Sequence, residues 1–195
     1  LNLIGVTGTN GKTSSVYWIT QCLKNLERKA TMISTIGEGL IEKLEPTENT
    51  TPDALKIQSI INGFVIKKVQ DVCIEVSSHG IKQGRVSEVD FNVRLFTNIS
   101  RDHLDYHDSI ENYANTKKDF LLDATKGNLV VNIDDSLGKE IFQESKLDES
   151  QKISFGINSK CKLQAKNLVT ENNRTKFDLI YQGRTIEVIV PVVGR

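Results

Sequence analysis

The sequence has no excess of charge of either sign, because its 195 residues include 25 basic and 25 acidic side chains. A neutral chain is poorly suited to holding nucleic acid mainly by charge, so we expect no nucleic-acid partner. No apolar run is long enough to cross a bilayer and no signal peptide is visible, so we expect no membrane association. Three prolines and a hydrophobic fraction of 38% are typical of a folded globular chain.

Cysteine is also scarce. Cys22, Cys73 and Cys161 are an odd number, and none is spaced to share a metal with another. We interpret them as reduced, small apolar residues, which is typical of a cytoplasmic protein.

The order of predicted elements indicates an α/β fold with a mainly parallel sheet flanked by helices. The predicted strands are LNLIGVTG, ATMISTIG, VQDVCIEVSS, FNVRLFTNIS and NLVVNID. The predicted helices between and after them are TSSVYWITQCLKNL, ALKIQSIINGFVIKK, SIENYANTKKDFLLDA and DSLGKEIFQESK, and EGLIEKLEPTENTTPD is predicted to be a loop. This α/β core covers residues 1–150.

The pattern changes after residue 150, where KISFGI, KLQAKNLVTE, TKFDLIY and RTIEVIVPV are separated by short turns and no helix. We predict a small antiparallel β appendage over residues 151–195, continuous with the core.

The segment GVTGTNGKTSS, residues 5–15, has the composition of a phosphate-binding loop. In the common template G-x-x-x-x-G-K-[ST], Gly11, Lys12 and Thr13 fit, but Val6 stands where the first glycine belongs. Loop and helix N–H groups would face phosphate oxygens, Lys12 would bridge the β- and γ-phosphates, and the Thr13 hydroxyl would bind Mg²⁺. A glycine-rich turn with an incidental lysine is the alternative, but the position between a strand and a helix favours the phosphate loop.

Two later segments follow predicted strands. Glu75 ends the strand before IEVSSHG, and ligands bind at that end of strands in open α/β sheets. Glu75 is either a magnesium ligand beside the phosphate loop or a solvated acid, and its position alone does not distinguish between these two roles. In TNISRDHLDYH, His103 and His107 are four residues apart, but His103 falls in a predicted loop, so no paired metal site is predicted.

Lys117 lies on the apolar stripe of its predicted helix, with Tyr113, Ala114 and Leu121, whereas Lys118 points elsewhere. A lysine on a buried face is uncommon. It either extends its amine to solvent or has a chemical role, for which a neutral amine could capture carbon dioxide as an anionic, metal-binding carbamate.

Among phosphate-loop proteins, the motifs of a regulatory GTPase are in the wrong chain order here: Asp135 to Gly138 follows Thr116 to Asp119. A motor or helicase would need a basic groove. A kinase and an ATP-dependent ligase both stay open on the residues alone.

Taken together, GVTGTNGKTS, PTENTTPD, EVSSHGIKQGRV, FTNISRDHLDYH and YANTK resemble the Mur ligase family, and within it the MurE type. The matching segments span residues 5 to about 123, and GTNGKT is that family's form of the phosphate loop. The resemblance covers only the central ATPase domain of a three-domain enzyme. The chain also opens on LNLIGV without an initiating Met, so we expect a fragment from which the N-terminal uridine-nucleotide domain and the C-terminal domain are absent.

The resemblance implies a ligase that adds a diamino acid to UDP-MurNAc-L-Ala-D-Glu, using ATP and Mg²⁺ and passing through an acyl phosphate. PTENTTPD is similar to Gram-negative sequences, which favours meso-diaminopimelate over L-lysine. A folylpolyglutamate synthase-like ligase and a non-catalytic nucleotide-binding fragment are the alternatives. PTENTT, Gln83 and Arg85 argue against the first of these.

The resemblance also implies roles for individual residues, in a protein expected to be monomeric. The ATP phosphates would be held by Gly8, Thr9, Asn10, Gly11, Lys12, Thr13 and Ser14. One magnesium would be bound by Thr13 and Glu75, and a second by Glu75, His103 and a carbamylated Lys117. The muramyl dipeptide substrate would be bound by Asn49, Thr50, Thr51, Ser77, Gln83 and Arg85.

Overall fold

The computed structural model describes residues 1–100, 109–123 and 126–192, and the described strands form a single eleven-stranded sheet. The strands are β1 (Asn2–Thr7), β2 (Ala30–Ser34), β3 (Gly37–Leu40), β4 (Lys43–Glu45), β5 (Asp71–Glu75), β6 (Val93–Phe96), β7 (Asn128–Asn132), β8 (Lys152–Gly156), β9 (Leu163–Glu171), β10 (Arg174–Tyr181) and β11 (Arg184–Val190). The helices are α1 (Lys12–Asn25), α2 (Ala54–Ile66), α3 (Ser78–Lys82), α4 (Ile110–Leu122) and α5 (Ser136–Glu144).

The sheet order is β11-β10-β9-β8-β7-β6-β1-β5-β2-β3-β4. All pairings from β2 through β5, β1, β6, β7 and β8 are parallel. The chain passes from β1 outward to β2, returns to β5, and then crosses β1 to reach β6. The direction of winding therefore reverses beside β1, and a crevice at the carboxyl ends of β1, β5 and β6 is where a ligand is expected in such a sheet.

The central strands read as nearly continuous apolar runs because helices cover both faces of the sheet. All five residues of β5 are buried, and so are all five of β2. The larger core cluster lies on one side of the sheet and includes Ile57 and Phe64 of α2, and Leu121 of α4. A smaller cluster under α1 contains Val6, Val16, Met32 and Cys73.

Side-chain caps define where four of the described helices begin, and Ser77 caps α3. Asp53 accepts a hydrogen bond from the backbone N–H of Lys56 at the start of α2. Ser109 caps α4, and Asp135 caps α5, in the same way. Each cap satisfies a backbone donor that the first turn of a helix leaves unpaired, and so fixes the helix start.

The predicted fold class and the predicted core helices are confirmed, but two predicted segments differ in the structure. The predicted loop after β2 contains a hairpin, β3 and β4, which extends the sheet antiparallel to β2. Its strands are three to four residues long and contain Gly37 and Gly39, so no alternating pattern was visible in the sequence. Gly37 has φ +137, and a side chain there would lie 2.8 Å from the carbonyl oxygen of Glu45.

The second difference is the point at which the sheet turns antiparallel. The prediction placed KISFGI in the antiparallel appendage, but β8 pairs parallel with β7 and belongs to the core. The antiparallel part begins only at the β9–β10 pairing and continues to β11. The helix that makes the β7–β8 crossover, α5, lies before residue 150, and this position concealed β8 as a core strand.

No helix among the described residues is long and apolar enough to cross a membrane. All three cysteines are free thiols. Burial raises the pKa of the Cys73 thiol to about 12, against the opposing effect of its hydrogen bond with Thr20, so this residue serves as a small apolar side chain.

Candidate active site

The phosphate-loop sequence forms the turn between β1 and α1, in the crevice beside the winding reversal. Gly8 has φ +149, and a Cβ at this position would lie 1.9 Å from the Thr97 hydroxyl oxygen, so only glycine fits. Gly11 has φ +81 and precedes α1 without a side chain to cap it. The first turn of α1 therefore presents its backbone donors towards the crevice, as anion-binding helix N-termini do.

Two residues at the end of β6 hold this loop in place. The backbone carbonyl oxygen of Asn98 accepts a hydrogen bond from the N–H of Thr9 at 2.8 Å. The side-chain oxygen of Asn98 accepts a second one from the N–H of Asn10 at 3.0 Å. The Thr97 hydroxyl donates to the carbonyl oxygen of Asn10 at 2.8 Å. The sequence analysis assigned no role to Thr97 or Asn98, although their position directly after a parallel strand could have indicated one.

Glu75 is 2% exposed and lies next to the start of α1, at the carboxyl end of β5. Its Oε2 accepts from the Thr13 hydroxyl at 2.9 Å, and from the backbone N–H and hydroxyl of Thr35 at 3.1 and 3.2 Å. The alternative of a solvated acid is therefore excluded. The structure brings together Thr13 and Glu75 as predicted, and it adds Thr35 from the end of β2, which sequence reasoning missed.

Lys117 lies on the inward face of α4 and is 1% exposed, as the helical spacing predicted. Its Nζ donates to the carbonyl oxygen of Gly8 at 2.9 Å and lies 4.6 Å from the centre of the Tyr113 ring. The amine thus contacts the phosphate loop and does not extend to solvent. Lys118 points away from it, as expected, and pairs with Glu140 and Glu144 of α5.

Tyr113 is a second buried residue of α4 that sequence reasoning left without a role. Its hydroxyl lies 3.1 Å from the Thr9 hydroxyl, and Thr9 in turn accepts from the backbone N–H of Ser100 at 2.9 Å. This chain of hydrogen bonds ties α4 to the phosphate loop, so the position of Lys117 and the shape of the loop depend on each other.

The segment PTENTT brings Thr51 into the crevice from the side of β5. Thr51 is fully buried, and its hydroxyl donates to the carbonyl oxygen of Glu75 at 2.8 Å and accepts from Ser77 N–H at 2.9 Å. The carbonyl oxygen of Thr51 accepts from Arg85 Nη1 at 2.7 Å. Arg85 Nε also donates to the side-chain oxygen of Gln83 at 2.8 Å.

These segments enclose a cleft of about 410 Å³, which we call the catalytic cleft. Its lining residues are Lys12, Thr35, Asn49, Thr50, Thr51, Glu75, Ser77, Ser78, His79, Arg85, Tyr113 and Lys117. Predicted phosphate-loop, metal and substrate residues are therefore neighbours in space. Gln83 contacts Arg85 but does not line the cleft, whereas His79, to which no role was assigned, does line it.

Oxygen ligands for a magnesium ion are present in this cleft. The Thr13 hydroxyl and the Glu75 carboxylate are adjacent, and both are hard donors of the kind that Mg²⁺ prefers. No cluster of three or more His, Cys, Asp or Glu side chains suited to a metal occurs among the described residues. Mg²⁺ in phosphate-transfer sites commonly uses one or two protein ligands with substrate phosphates and waters, so this donor set fits. His103, the remaining predicted metal ligand, lies outside the described residues.

The chain is similar to known proteins over its whole length. The Mur ligase middle domain matches residues 6–195. The UDP-N-acetylmuramoyl-L-alanyl-D-glutamate–2,6-diaminopimelate ligase of Alkaliphilus metalliredigens is 40% identical over 194 residues, which are 100% of this chain and 39% of that protein. The enzyme of the same name from Fusobacterium nucleatum is 42% identical over 158 residues, covering 80% of this chain and 32% of that protein.

Solved structures give the same result. A UDP-N-acetylmuramoyl-L-alanyl-D-glutamate–2,6-diaminopimelate ligase superposes with a TM-score of 0.90 at 28% identity, over 100% of this chain and 40% of that one. A complex of folylpolyglutamate synthase with AMPPCP has a TM-score of 0.70 at 16% identity, over 99% of this chain and 54% of that one, a likeness of fold alone. The matched residues span between about a third and two fifths of the length of the curated relatives described above. The chain belongs to the Mur ligase family and corresponds to its middle domain.

Proposed function

We propose that this chain is the ATP-binding part of a ligase that joins a diamino acid to UDP-MurNAc-L-Ala-D-Glu through an acyl phosphate. The observation that carries the proposal is the shared cleft: a phosphate loop with Lys12 and a potential carboxylate anchor, Arg85, line the same space. A kinase would also need a phosphate loop, but the relatives named above, which are 40–42% identical to this chain over the aligned residues, are named as ligases.

On the nucleotide side, the backbone from Gly8 to Ser14 cradles the ATP phosphates, and Lys12 neutralises the charge on the γ-phosphate. In this structure Lys12 Nζ donates to the carbonyl oxygen of Thr9 at 2.7 Å, so it must turn towards the nucleotide when ATP binds. Thr13 and Glu75 hold Mg²⁺, with Thr35 fixing the carboxylate. The magnesium ion supplies positive charge to the transferring phosphoryl group.

On the acceptor side, Asn49, Thr50, Thr51, Ser77, Gln83 and Arg85 bind the muramyl dipeptide. The planar guanidinium of Arg85 matches the two oxygens of a carboxylate. Its hydrogen bonds to Thr51 and Gln83 orient it towards the cleft and leave further N–H donors for the substrate. The glutamate carboxylate is thereby brought near the γ-phosphate.

The reaction then proceeds in two displacements. A carboxylate oxygen of D-glutamate forms a bond to the γ-phosphorus as the bond to ADP breaks, which gives an acyl phosphate. The amine of the diamino acid attacks the carbonyl carbon, loses a proton, and expels inorganic phosphate with the former carboxylate oxygen. Preorganised positive charge around the phosphoryl group is the main catalytic contribution expected of the protein.

Lys117 is proposed to act as a carbamate. Its Nζ donates to the carbonyl oxygen of Gly8, and a carbamylated nitrogen keeps one N–H for that bond. The side chain lines the catalytic cleft, so the added carboxylate would face Glu75 and the magnesium site. Together with His103, these groups would provide the ligands of a second magnesium ion.

Meso-diaminopimelate is the proposed incoming amino acid, since both curated relatives described above are named for it. The reaction is proposed to take place in the cytoplasm, with the enzyme acting as a monomer.

The proposal is tested with the full-length protein by measuring phosphate release with UDP-MurNAc-L-Ala-D-Glu and either meso-diaminopimelate or L-lysine. We expect turnover that needs ATP, Mg²⁺ and the muramyl dipeptide together, with a higher kcat/KM for meso-diaminopimelate. Preference for L-lysine would overturn the amino-acid assignment alone. Phosphate release that does not depend on the muramyl dipeptide would overturn the ligase assignment.

Two variants with opposite expectations test the residue roles. Lys117→Ala is expected to lose turnover while still binding the nucleotide, because its amine lies beside the loop but outside the predicted phosphate cradle. Lys118→Ala, one residue away on the face of α4 that meets α5, removes a half-buried pair with Glu140 and Glu144 outside the catalytic cleft and is expected to keep wild-type kcat. Equal turnover in both variants would contradict the role of Lys117.

A further inference from the structure

A second cleft, of about 470 Å³, lies between the segment that follows α3 and the last turns of α4. We call it the Arg94 cleft. It shares no lining residue with the catalytic cleft and is lined by Ile81, Val86, Ser87, Val89, Phe91, Arg94, Asp119, Phe120, Leu122 and Asp123. Nothing in the proposed ligase reaction uses these residues.

The arginine of this cleft is unusually buried. Arg94 is 8% exposed, and it lies next to Gly5 in the register of β6 with β1. A side chain at Gly5 would meet the rings of Phe91 and Phe120 at 2.8 to 3.0 Å, and those rings flank the Arg94 guanidinium at 5.7 and 5.6 Å from their centres. The packing of these two aromatic residues therefore fixes the guanidinium at the wall of the cleft.

One donor of this arginine also goes without a hydrogen-bond acceptor among the described residues. Its buried Nε has no partner within the described part of the chain. None of the ion pairs found between described residues includes Arg94. An unsatisfied buried donor destabilises the fold, and contact with aromatic rings provides no acceptor. A guanidinium stays charged at any physiological pH, so its charge is left without a direct partner.

The remaining groups in the cleft define what could bind there. Arg94 is suited to a carboxylate, which a guanidinium can bind through two hydrogen bonds. Asp119 and Asp123 carry the opposite charge and suit an ammonium group. Burial lowers the pKa of Arg94, and the charges of Asp123 and Asp90 oppose that shift, so these acids interact with the guanidinium without pairing with it. The other walls are apolar, with Ile81, Val86 and Leu122 among them.

We propose that the Arg94 cleft binds a small zwitterionic amino acid with an apolar side chain. The carboxylate pairs with Arg94, the ammonium group faces Asp119 and Asp123, and the side chain packs against the apolar wall. An apolar carboxylate without an amine would pair with Arg94 but would provide no positive charge for Asp119 and Asp123. An apolar amine would face these two acids but would leave the Arg94 guanidinium without an acceptor. The three charged residues thus select for the zwitterion.

The test uses three probes with the same branched carbon skeleton: L-leucine, 4-methylpentanoate, which lacks the amine, and 3-methylbutylamine, which lacks the carboxylate. Each is titrated into the ¹⁵N-labelled full-length protein, and the Nε–H resonances of Arg94 and Arg85 are followed by NMR. We expect L-leucine to shift the Arg94 resonance with saturation, 4-methylpentanoate to do so with at least threefold weaker affinity, and the amine to have no effect.

Variants identify the contacts. Arg94→Gln should weaken L-leucine binding at least tenfold, measured by calorimetry. Asp123→Asn should weaken L-leucine but not 4-methylpentanoate. The matched control is Lys139→Gln, which changes an exposed lysine on α5 that does not line the Arg94 cleft and should leave both affinities unchanged.

Two results would overturn the proposal. One is an Arg94 Nε–H resonance that moves with none of the probes. The other is a shift confined to Arg85, which would place the amino acid in the catalytic cleft. The comparison of the three probes uses the unmodified protein. It therefore tests amino-acid binding in the Arg94 cleft even if Arg94→Gln fails to fold.

Discussion

Asp134 provides the sharpest stability prediction, because its carboxylate is bonded almost entirely by backbone donors. It follows β7 and accepts from the N–H groups of Ile157, Asn158 and Ser159, with the shortest bond to Ile157 at 2.6 Å and that to Ser159 at 2.7 Å. Desolvation by burial raises its pKa, but these bonds from Asn158, Ile157 and Ser159 outweigh it and bring the pKa down to about 2. The bonds hold the turn after β8 against the end of β7.

Asp134→Asn should therefore destabilise the protein in a pH-dependent manner. Lowering the folded-state pKa of Asp134 from its ordinary value of 3.8 to about 2 corresponds to about 2 kcal/mol of stability at neutral pH. Asparagine can accept only through one oxygen, and its NH₂ group would face a backbone N–H. For a domain of this size the loss corresponds to about 4–8 °C in Tm.

The sign of the pH effect follows from the direction of the shift. A lowered folded-state pKa adds stability that is fully present above the unfolded-state pKa near 4 and is lost as pH falls through about 2. The difference in free energy of unfolding between wild type and Asp134→Asn should thus fall to about half between pH 6 and pH 3.

Urea denaturation at pH 6, 4.5 and 3 measures this difference. Asp148→Asn is the control, since it changes an exposed acid on the loop before β8 and should give no pH-dependent difference. A wild-type advantage over Asp134→Asn that stays constant from pH 6 to pH 3 would refute the reasoning, as would a carboxyl titration of Asp134 with its midpoint near 4.

Two further predictions concern the phosphate loop. Gly8→Ala should abolish nucleotide binding in a calorimetric titration, because the added Cβ would lie 1.9 Å from the Thr97 hydroxyl, while Gly63→Ala, which has open space in α2, should bind normally and be up to about 1 kcal/mol more stable. Normal binding by Gly8→Ala would show that the loop tolerates a different shape. Tyr113→Phe should cost about 1 kcal/mol of stability and raise the KM for ATP, since it removes the hydroxyl contact with Thr9; a change in stability with the same KM would mean that the contact is only structural.

Much of the core was predictable because its signals are local. Each parallel strand of the core is a short apolar run bounded by polar turn residues, and the four longer helices have a 3.6-residue apolar period, whereas the five-residue α3 has none and was not predicted. The same period placed Lys117 on the inward stripe and directed Lys118 elsewhere, and in the structure Lys117 is buried while Lys118 contacts α5. The spacing within GTNGKT, between a strand and a helix, likewise predicted the position of the phosphate loop.

What could not be predicted depends on contacts between distant parts of the chain. The β3–β4 hairpin is defined by glycine backbone geometry and by pairing with β2, not by hydrophobic alternation. The parallel pairing of β8 depends on its neighbour β7. Thr35 and Tyr113 lie far apart in the sequence and meet only at the catalytic cleft; Thr35 lies outside the matching segments, and YANTK, which contains Tyr113, does not indicate a contact with Thr9. Arg94 was indistinguishable from any strand arginine until the packing of Phe91 and Phe120 was known.

In the proposed reaction, the catalytic cleft transfers a phosphoryl group from ATP to a substrate carboxylate. This transfer is tested most directly with UDP-MurNAc-L-Ala-D-Glu labelled with ¹⁸O in the free glutamate carboxylate, incubated with the full-length protein, ATP, Mg²⁺ and meso-diaminopimelate. We expect one ¹⁸O atom in each inorganic phosphate released, because the carboxylate oxygen leaves with the phosphate when the amide forms. Unlabelled phosphate accompanying amide formation would contradict it.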